Sequence, residues 1–599
     1  MAPGATGASA AVARLARAPA APRRVARARA PPPARARVAF RARAAVFSEE
    51  DAPSTRAASS RSARSSASSS SSSSSHGAAD SGGYLAVSPC ASLRGVVPIA
   101  GAKNAVLALL AGALACGDEV VLRDVPIGLA DVRAMIDVLR SVGARVDVGG
   151  EDANTANTPS SGVVVVHARA EDLRASPSAD AVAKLRASFF AAGPILARAG
   201  RVSMPLPGGC AIGARPVDLH LDGFRALGAV VEVTSRGVVE ARAIARDGKL
   251  RGAGTHVMRF PSVGATHAIV MAASLAVGDT TIVNAAAEPE IEDLAAMLNA
   301  SGAKIRGAGT SVITIEGVGV AGSGEKGDGG GGGTGRGGLG GCAHDAIPDR
   351  IEAGTMLVVA ACVGSTLTLS PVIPEHMTAT TALLIDAGCS IDVGDEVGGE
   401  SKSKSKSNSN SNSTSRRRSM TITPPPRGGL RAVDFTTAPY PGVPTDMQPQ
   451  LCVLNACAEG VAIVRETVFE SRWSHVPELR RMGVECDFVD ADGDDAVANA
   501  NANANANAGR SLRIVGVGAR GLRRADVRGS DLRASAALIV AGLAVMAPMG
   551  DGDGDGDGEA QGPTRVAGLA HLDRGYEGLD AKLRGVGADV ERRPVPPRK

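Results

Sequence analysis

One ending recurs six times along this 599-residue chain, and it limits the fold more than any other feature. An amphipathic stretch closes on a small-residue corner with glycine and re-emerges as a short apolar run. The copies are Leu139-Arg-Ser-Val-Gly143-Ala-Arg-Val, Phe224-Arg-Ala-Leu-Gly228-Ala-Val-Val, Leu298-Asn-Ala-Ser-Gly302-Ala-Lys-Ile, Leu384-Ile-Asp-Ala-Gly388-Cys-Ser-Ile, Leu479-Arg-Arg-Met-Gly483-Val-Glu-Cys and Leu583-Arg-Gly-Val-Gly587-Ala-Asp-Val. Glycine there fits the left-handed C′ residue that stops a helix, so each copy reads as helix, turn, strand. The glycines are 85, 74, 86, 95 and 104 residues apart. That is too long for a solenoid repeat and suits six small α/β lobes.

Each copy follows a second stretch that is apolar nearly all round: Ala105–Cys116, Ala187–Ala199, Thr266–Val277, Gly354–Val363, Leu451–Glu459 and Ala534–Met546. Helices apolar on every face must be buried. Low-complexity tracts lengthen the later units. Gly327–Gly341, Ser401–Arg418, Asn499–Ala508 and Asp551–Gly558 have little apolar area to bury and read as disordered surface insertions that touch no site motif.

The first 82 residues read apart from the fold. Ten arginines lie between Arg14 and Arg43 with no Asp or Glu before Glu49, and a Ser/Ala tract runs from Ser59 to Ser75. Arg-rich, Ser-rich and acid-poor is the composition of an organelle transit peptide; a basic nucleic-acid-binding arm is the rival. Without this arm the rest of the chain is mildly acidic, so any anion is held by a local cluster and not by global charge. Nine scattered cysteines with no C-x-x-C pair argue against a disulfide framework or a zinc site. The longest apolar run, Ala534 to Met546, is too short to span a bilayer.

Chemistry concentrates in Pro207-Gly-Gly-Cys210-Ala-Ile-Gly-Ala-Arg215-Pro-Val-Asp218-Leu-His220. Gly208 and Gly209 permit a tight bend. Arg215 supplies a permanent positive charge near the Cys210 thiol, which favours thiolate. Ser262-Val263-Gly264 precedes an apolar helix, where free N–H groups can cradle phosphate or serve as an ordinary N-terminus. Lys103, Arg186 and Asp446 also stand at helix starts. Taken singly, the two cations read as solvated charges and Asp446 as a cap.

Together these motifs closely resemble the UDP-N-acetylglucosamine 1-carboxyvinyltransferases, over the chain from about Tyr84 to its C-terminus apart from the insertions. The resemblance implies an α/β fold, a two-domain inside-out α/β barrel, with residues 103–347 in one domain and 83–102 with 348–599 in the other. It implies enolpyruvyl transfer from phosphoenolpyruvate to the sugar 3-hydroxyl, with Asp446 as base and Cys210 as proton donor to carbon. In Ile99-Ala-Gly-Ala-Lys103-Asn104, Lys103 and Asn104 match phosphoenolpyruvate contacts, as do Arg215, Arg472 and Arg574. Arg186, Arg215, Pro216, Val217, Asp218, Leu219, Ser262, Val263, Gly264, Asp446 and Val468 match contacts to the sugar nucleotide. Asp531 and Arg533 match residues of domain closure, and Asp131, Glu288, Glu290 and Asp349 match carboxylates that serve structure or closure.

The resemblance further implies small-molecule substrates only, no metal or organic cofactor, no nucleic acid or membrane, a monomer, a plastid stroma in preference to a mitochondrion, and inactivation by fosfomycin. The chain departs from the family pattern at Ala130, Phe190, Phe260-Pro261 and Ala287, with Arg259 as a compensating cation for a missing lysine. The sister 3-phosphoshikimate enzyme and a non-catalytic sugar-nucleotide-binding paralogue stay open as alternatives.

Overall fold

All six repeat glycines have positive φ, between 81° and 105°, and five of them close a Schellman-type turn. The amide of Gly143 donates to Arg140 O and that of Ala144 to Leu139 O; the same pairing recurs at Gly302, Gly388, Gly483 and Gly587. Five units carry a further brace. The residue three before the glycine sends a side-chain donor to the carbonyl three after it: Arg140 to Val146, Arg225 to Val231, Asn299 to Ile305, Arg480 to Cys486 and Arg584 to Val590. Ile385 occupies the position in the fourth unit and has no donor to give. The brace fixes the direction in which each strand leaves its helix.

The structure is a computed structural model that describes residues 83–149, 162–208, 216–319, 337–397, 417–489, 511–546 and 562–594. Its sheets follow one plan. In every unit the strand after the apolar helix and the strand after the amphipathic helix lie on either side of a third, antiparallel to both, as in Val120–Val125, Arg145–Gly149 and Gly162–His167. In the sixth unit that third strand is Tyr84–Val87, from the other end of the chain. Five sheets add a parallel edge strand. For the first unit it is Cys342–Asp345, and for the fourth it is Val96–Pro98.

The apolar helices lie inside and the sheets outside. Helices Arg350–Val363, Gln448–Cys457 and Leu532–Leu543 pack on one another; Lys103–Ala113 and Val263–Ser274 flank the helical turns Arg186–Ala191 and Ala192–Ala199. Two hydrophobic cores result, one drawn from residues 106–346 and the other from 85–99 with 351–590. Each buried Leu, Val, Ile or Met side chain is worth about 1.5–3 kcal/mol, so these helices hold each lobe together.

Several expectations change. The apolar helices begin two to four residues earlier than the apolar runs suggest, because their first turns carry polar residues such as Lys103, Asn104, Gln448 and Arg533. The second of them is not one helix: a 3-10 segment, Arg186–Ala191, precedes Ala192–Ala199. Two tracts read as insertions end in ordered chain. Leu339 bridges to Cys116, and Arg417 forms an ion pair with Asp124 at 2.6 Å just before strand Arg418–Thr423. Residues 1–82, most of the low-complexity tracts and the loop 209–215 lie outside the described residues. Among the described residues no helix is long and apolar enough to cross a membrane.

Candidate active site

The polar first turns of the buried helices converge where the two cores meet. From the first lobe come Lys103 and Asn104, which open helix Lys103–Ala113, and Asp131, at the start of Ala130–Ser141. From the second come Asp446, in the 3-10 turn Thr445–Met447, with Arg472, Arg533 and Arg574. Asp446 is not a cap, contrary to its isolated reading, since no backbone N–H at that helix start is capped by a side chain. Its Oδ1 accepts from Arg472 Nη1 at 2.8 Å, and its Oδ2 from Arg533 Nη2 at 2.8 Å and Asn104 Nδ2 at 3.4 Å. Burial pushes the carboxyl up, but Arg533, Arg472 and Lys103 outweigh it and hold Asp446 well below the ordinary carboxylate range.

Asp131 forms the second node. It accepts from Lys103 Nζ at 3.4 Å and, across the lobes, from Arg574 Nε at 2.8 Å. Burial, with Arg533 and Arg574 nearby, pushes the Lys103 ammonium down despite Asp131 and Asp446. Arg472 Nε and Arg533 Nη1 are buried with no acceptor among the described residues. A buried donor left unpaired costs about 1–3 kcal/mol, and more when it is charged, so the cluster suits an anion that offers more oxygens than two aspartates do. Asp531, expected in closure, caps helix Leu532–Leu543 through the amides of Arg533 and Ala534, and so aims Arg533 at Asp446.

Val468 belongs to the same cluster by an indirect route. Glu466 Oε1 accepts from the amides of Val468 and Phe469, while its Oε2 accepts from Thr445 Oγ1 at 3.0 Å. One carboxylate thus ties the Val468 loop to the Asp446 turn. Arg472 lies over the Phe469 ring at 5.0 Å. The buried trio Thr355, Gln450 and Tyr576 is hydrogen-bonded through 2.8–3.0 Å contacts, and the Tyr576 ring lies under Arg533 at 5.3 Å. Sequence reasoning missed this support, because Thr and Gln within an apolar helix carry no pattern of their own.

The residues expected to meet a sugar nucleotide form a second group in the first lobe. Helix Val263–Ser274 starts inside the Ser262-Val263-Gly264 motif, and the Ser262 side chain accepts from Ala265 N–H. Gly264 packs against His220 and Phe190, and Phe189 meets the His220 ring edge-on at 5.2 Å. This brings the 3-10 turn opened by Arg186 beside the start of helix Asp218–Ala226, with Pro216, Val217 and Leu219 at its N-terminal end. Burial, and then Arg186, push His220 down to about 4, so it stays neutral. Arg259, expected to compensate for a lost lysine, instead neutralises Asp218 and Asp222 at 2.7 and 2.9 Å. Cys210 and Arg215 lie outside the described residues.

Further contacts cross between the lobes. Glu290 pairs with Arg350 at 3.0 Å, Glu288 accepts from Tyr440 N–H at 3.4 Å, and Glu577 accepts from Gly128 N–H at 2.6 Å. Among the described residues no group of three or more His, Cys, Asp or Glu side chains is placed to hold a metal ion.

Residues 87–583 match the family described as EPSP synthase (3-phosphoshikimate 1-carboxyvinyltransferase). The chain is 42% identical over 500 residues to UDP-N-acetylglucosamine 1-carboxyvinyltransferase 2 of Carboxydothermus hydrogenoformans, covering 84% of this chain and 97% of that protein. It is 41% identical over 509 residues to UDP-N-acetylglucosamine 1-carboxyvinyltransferase of Gloeobacter violaceus, covering 85% and 90%. In fold it is similar to the enolpyruvyl transferase NikO from Streptomyces tendae, with a TM-score of 0.64 at 24% identity over 86% of this chain and 100% of that one.

Proposed function

The chain belongs to the EPSP synthase family, among its UDP-N-acetylglucosamine 1-carboxyvinyltransferases, and from this we infer that it transfers the enolpyruvyl group of phosphoenolpyruvate to the 3-hydroxyl of UDP-N-acetylglucosamine, with release of phosphate. The substrate follows from relatives about 40% identical over most of both chains. The observation that carries the chemistry is Asp446 between Arg472 and Arg533 beside the Lys103–Asp131–Arg574 node. That arrangement places a proton acceptor inside a cationic cradle.

In this reading Asp446 takes the hydroxyl proton as the sugar oxygen bonds to C2 of phosphoenolpyruvate. Cys210 delivers a proton to C3, which turns the methylene into a methyl group. Loss of phosphate from C2 and of one methyl proton then restores the double bond in the product ether. A carboxylate held far below neutral pH is a weak base. The carboxylate and phosphate of phosphoenolpyruvate engage Lys103, Arg472, Arg574 and Arg215, draw positive charge from Asp446, and return basicity to it when the acceptor is in place. The same cations stabilise the charge that grows on the departing phosphate. Arg186, Pro216, Val217, Asp218, Leu219, Ser262, Val263, Gly264 and Val468 hold the nucleotide sugar, and the enzyme acts as a monomer.

A coupled phosphate-release assay tests the reading. Phosphate should appear with UDP-N-acetylglucosamine as acceptor and not with shikimate 3-phosphate; the reverse result selects the sister activity, and none with either selects a binding protein. The Arg-rich first 82 residues support import into a plastid. Their fusion to a fluorescent protein should label that organelle, and a diffuse cytosolic signal contradicts the assignment.

A further inference from the structure

Residues 99–103 carry the chain from the second core into the first, and residues 346–349 carry it back. The two segments run antiparallel. Gly101 bridges to Pro348, Ala102 N–H donates to Ile347 O at 2.7 Å, and Asp349 N–H donates to Ala100 O at 2.8 Å. The strand ends at Lys103, the first residue of its helix, so anything that fixes this strand also sets where the Lys103 ammonium stands.

Two carboxylates at the start of helix Arg350–Val363 hold the strand from the second lobe. Asp349 Oδ2 accepts from Lys103 N–H at 3.1 Å, while its Oδ1 caps the helix through the amides of Ile351 and Glu352. Glu352 Oε2 accepts from Ala100 N–H at 2.8 Å. The other oxygen of Glu352 is paired with the ammonium of Lys582, from helix Leu579–Gly585, and the two side chains are only 4% and 2% exposed. An ion pair this deeply buried gains little net stability over apolar side chains of similar size, and so stability alone does not account for it. What it does supply is a charge-assisted acceptor for Ala100, three residues before Lys103.

We propose that Glu352 and Lys582 are positioning residues of the transfer reaction, which fix the entry strand and through it the Lys103 ammonium against the second lobe. The proposal rests on the reading that Lys103 meets phosphoenolpyruvate. Neither residue touches Asp446, so the larger effect falls on phosphoenolpyruvate binding through Lys103.

Two paired replacements separate positioning from stability. Glu352→Leu with Lys582→Leu removes both charges and the acceptor. Glu352→Gln with Lys582→Met removes the charges but keeps an amide oxygen for Ala100. The leucine pair should melt within a few degrees of wild type and exchange the amides of Ala100 to Lys103 faster. Its KM for phosphoenolpyruvate should rise about 10-fold, the scale of one charge-assisted hydrogen bond, with KM for UDP-N-acetylglucosamine unchanged. The Gln/Met pair should return the phosphoenolpyruvate KM to within about 2-fold of wild type.

Wild-type KM values in a folded leucine pair overturn the proposal, as does a Gln/Met pair as impaired as the leucine pair, or an equal rise in both KM values. Should the leucine pair fail to fold, Glu352→Met with Lys582→Met, which keeps the length of both side chains, decides: its phosphoenolpyruvate KM should rise several-fold and the other KM should not, and equal or absent changes overturn the proposal. A wild-type protein that releases no phosphate with UDP-N-acetylglucosamine overturns the reading beneath the proposal and the proposal with it. An active wild type beside an unaltered leucine pair overturns the proposal alone.

Discussion

Arg533 Nη2 stands 2.8 Å from Asp446 Oδ2, and the arginine is set by neighbours that do no chemistry. Asp531 fixes the Arg533 backbone as a helix cap, and the Tyr576 ring lies under the guanidinium. Asp446→Asn keeps the shape and the acceptor oxygen but removes the charge. Turnover should fall at least about 100-fold, the scale of a lost general base. Stability should fall by about 1–3 kcal/mol, because Arg472 and Arg533 lose their counter-charge. The low carboxylate pKa in the folded protein gives this contribution its pH dependence: it is fully present above the unfolded value of about 4 and is lost as pH falls through the folded one. The gap in Tm between wild type and variant should therefore close as pH drops below about 4. Wild-type turnover in Asp446→Asn removes it as the base.

Three buried histidines set the acid limit of the fold. Burial pushes His220, His267 and His475 each down to about 4. A histidine held neutral in the folded state contributes stability that is present above the unfolded value of about 6.5 and is lost as pH falls toward the folded one. Tm should decline from about pH 6.5 downward, and His267→Gln should flatten part of that slope. A Tm that stays level to about pH 4.5 contradicts the burial of these rings.

Glycine does two different jobs here, and alanine scanning separates them. At Gly302, φ is 100° and a Cβ would meet nothing within 4 Å, so Gly302→Ala carries only backbone strain, about 1–2 kcal/mol. At Gly101 a Cβ would fall 1.9 Å from Asp124 O. Gly101→Ala must push the entry segment off strand Val120–Val125, and should lose far more stability and most activity. Equal, small effects at both sites would contradict the close packing of Gly101 on the Asp124 carbonyl.

The repeat was fully legible because glycine at a left-handed C′ position has few substitutes, and each unit ends on one. Helix starts were less legible, since Lys103, Asn104, Gln448 and Arg533 break the apolar pattern at the turn where they reach the site. Asp446, Asn104, Arg472 and Arg533 were each found through their motifs, but their pairing around Asp446 was not. Arg533 is 87 residues away and Asn104 is 342 away, and no local period records such pairings. Glu352 and Lys582 sit 230 residues apart inside helices that read as ordinary. The end of the Ser401–Arg418 tract was misjudged because composition is averaged over a window, whereas Arg417 acts alone, through one ion pair to Asp124.

Thiol chemistry should single out Cys210. Among the described residues Cys90, Cys116, Cys362, Cys389, Cys452 and Cys486 are buried, and burial pushes the Cys116 thiol up to about 12. Fosfomycin should alkylate Cys210, faster with UDP-N-acetylglucosamine present. Cys210→Asp keeps a proton donor without sulfur and should give an active, resistant enzyme. Peptide mass mapping that finds the adduct on Cys452 or Cys457, with Cys210 untouched, contradicts the assignment.

The most direct test of the account is the product formed in deuterium oxide. With phosphoenolpyruvate and UDP-N-acetylglucosamine, the account predicts an enolpyruvyl ether at the sugar 3-oxygen whose vinyl methylene carries deuterium, since C3 passes through a methyl group before one proton is lost. Asp446→Asn should yield almost none of it. A product whose vinyl group holds no deuterium, or turnover of shikimate 3-phosphate in place of the nucleotide sugar, would contradict the account.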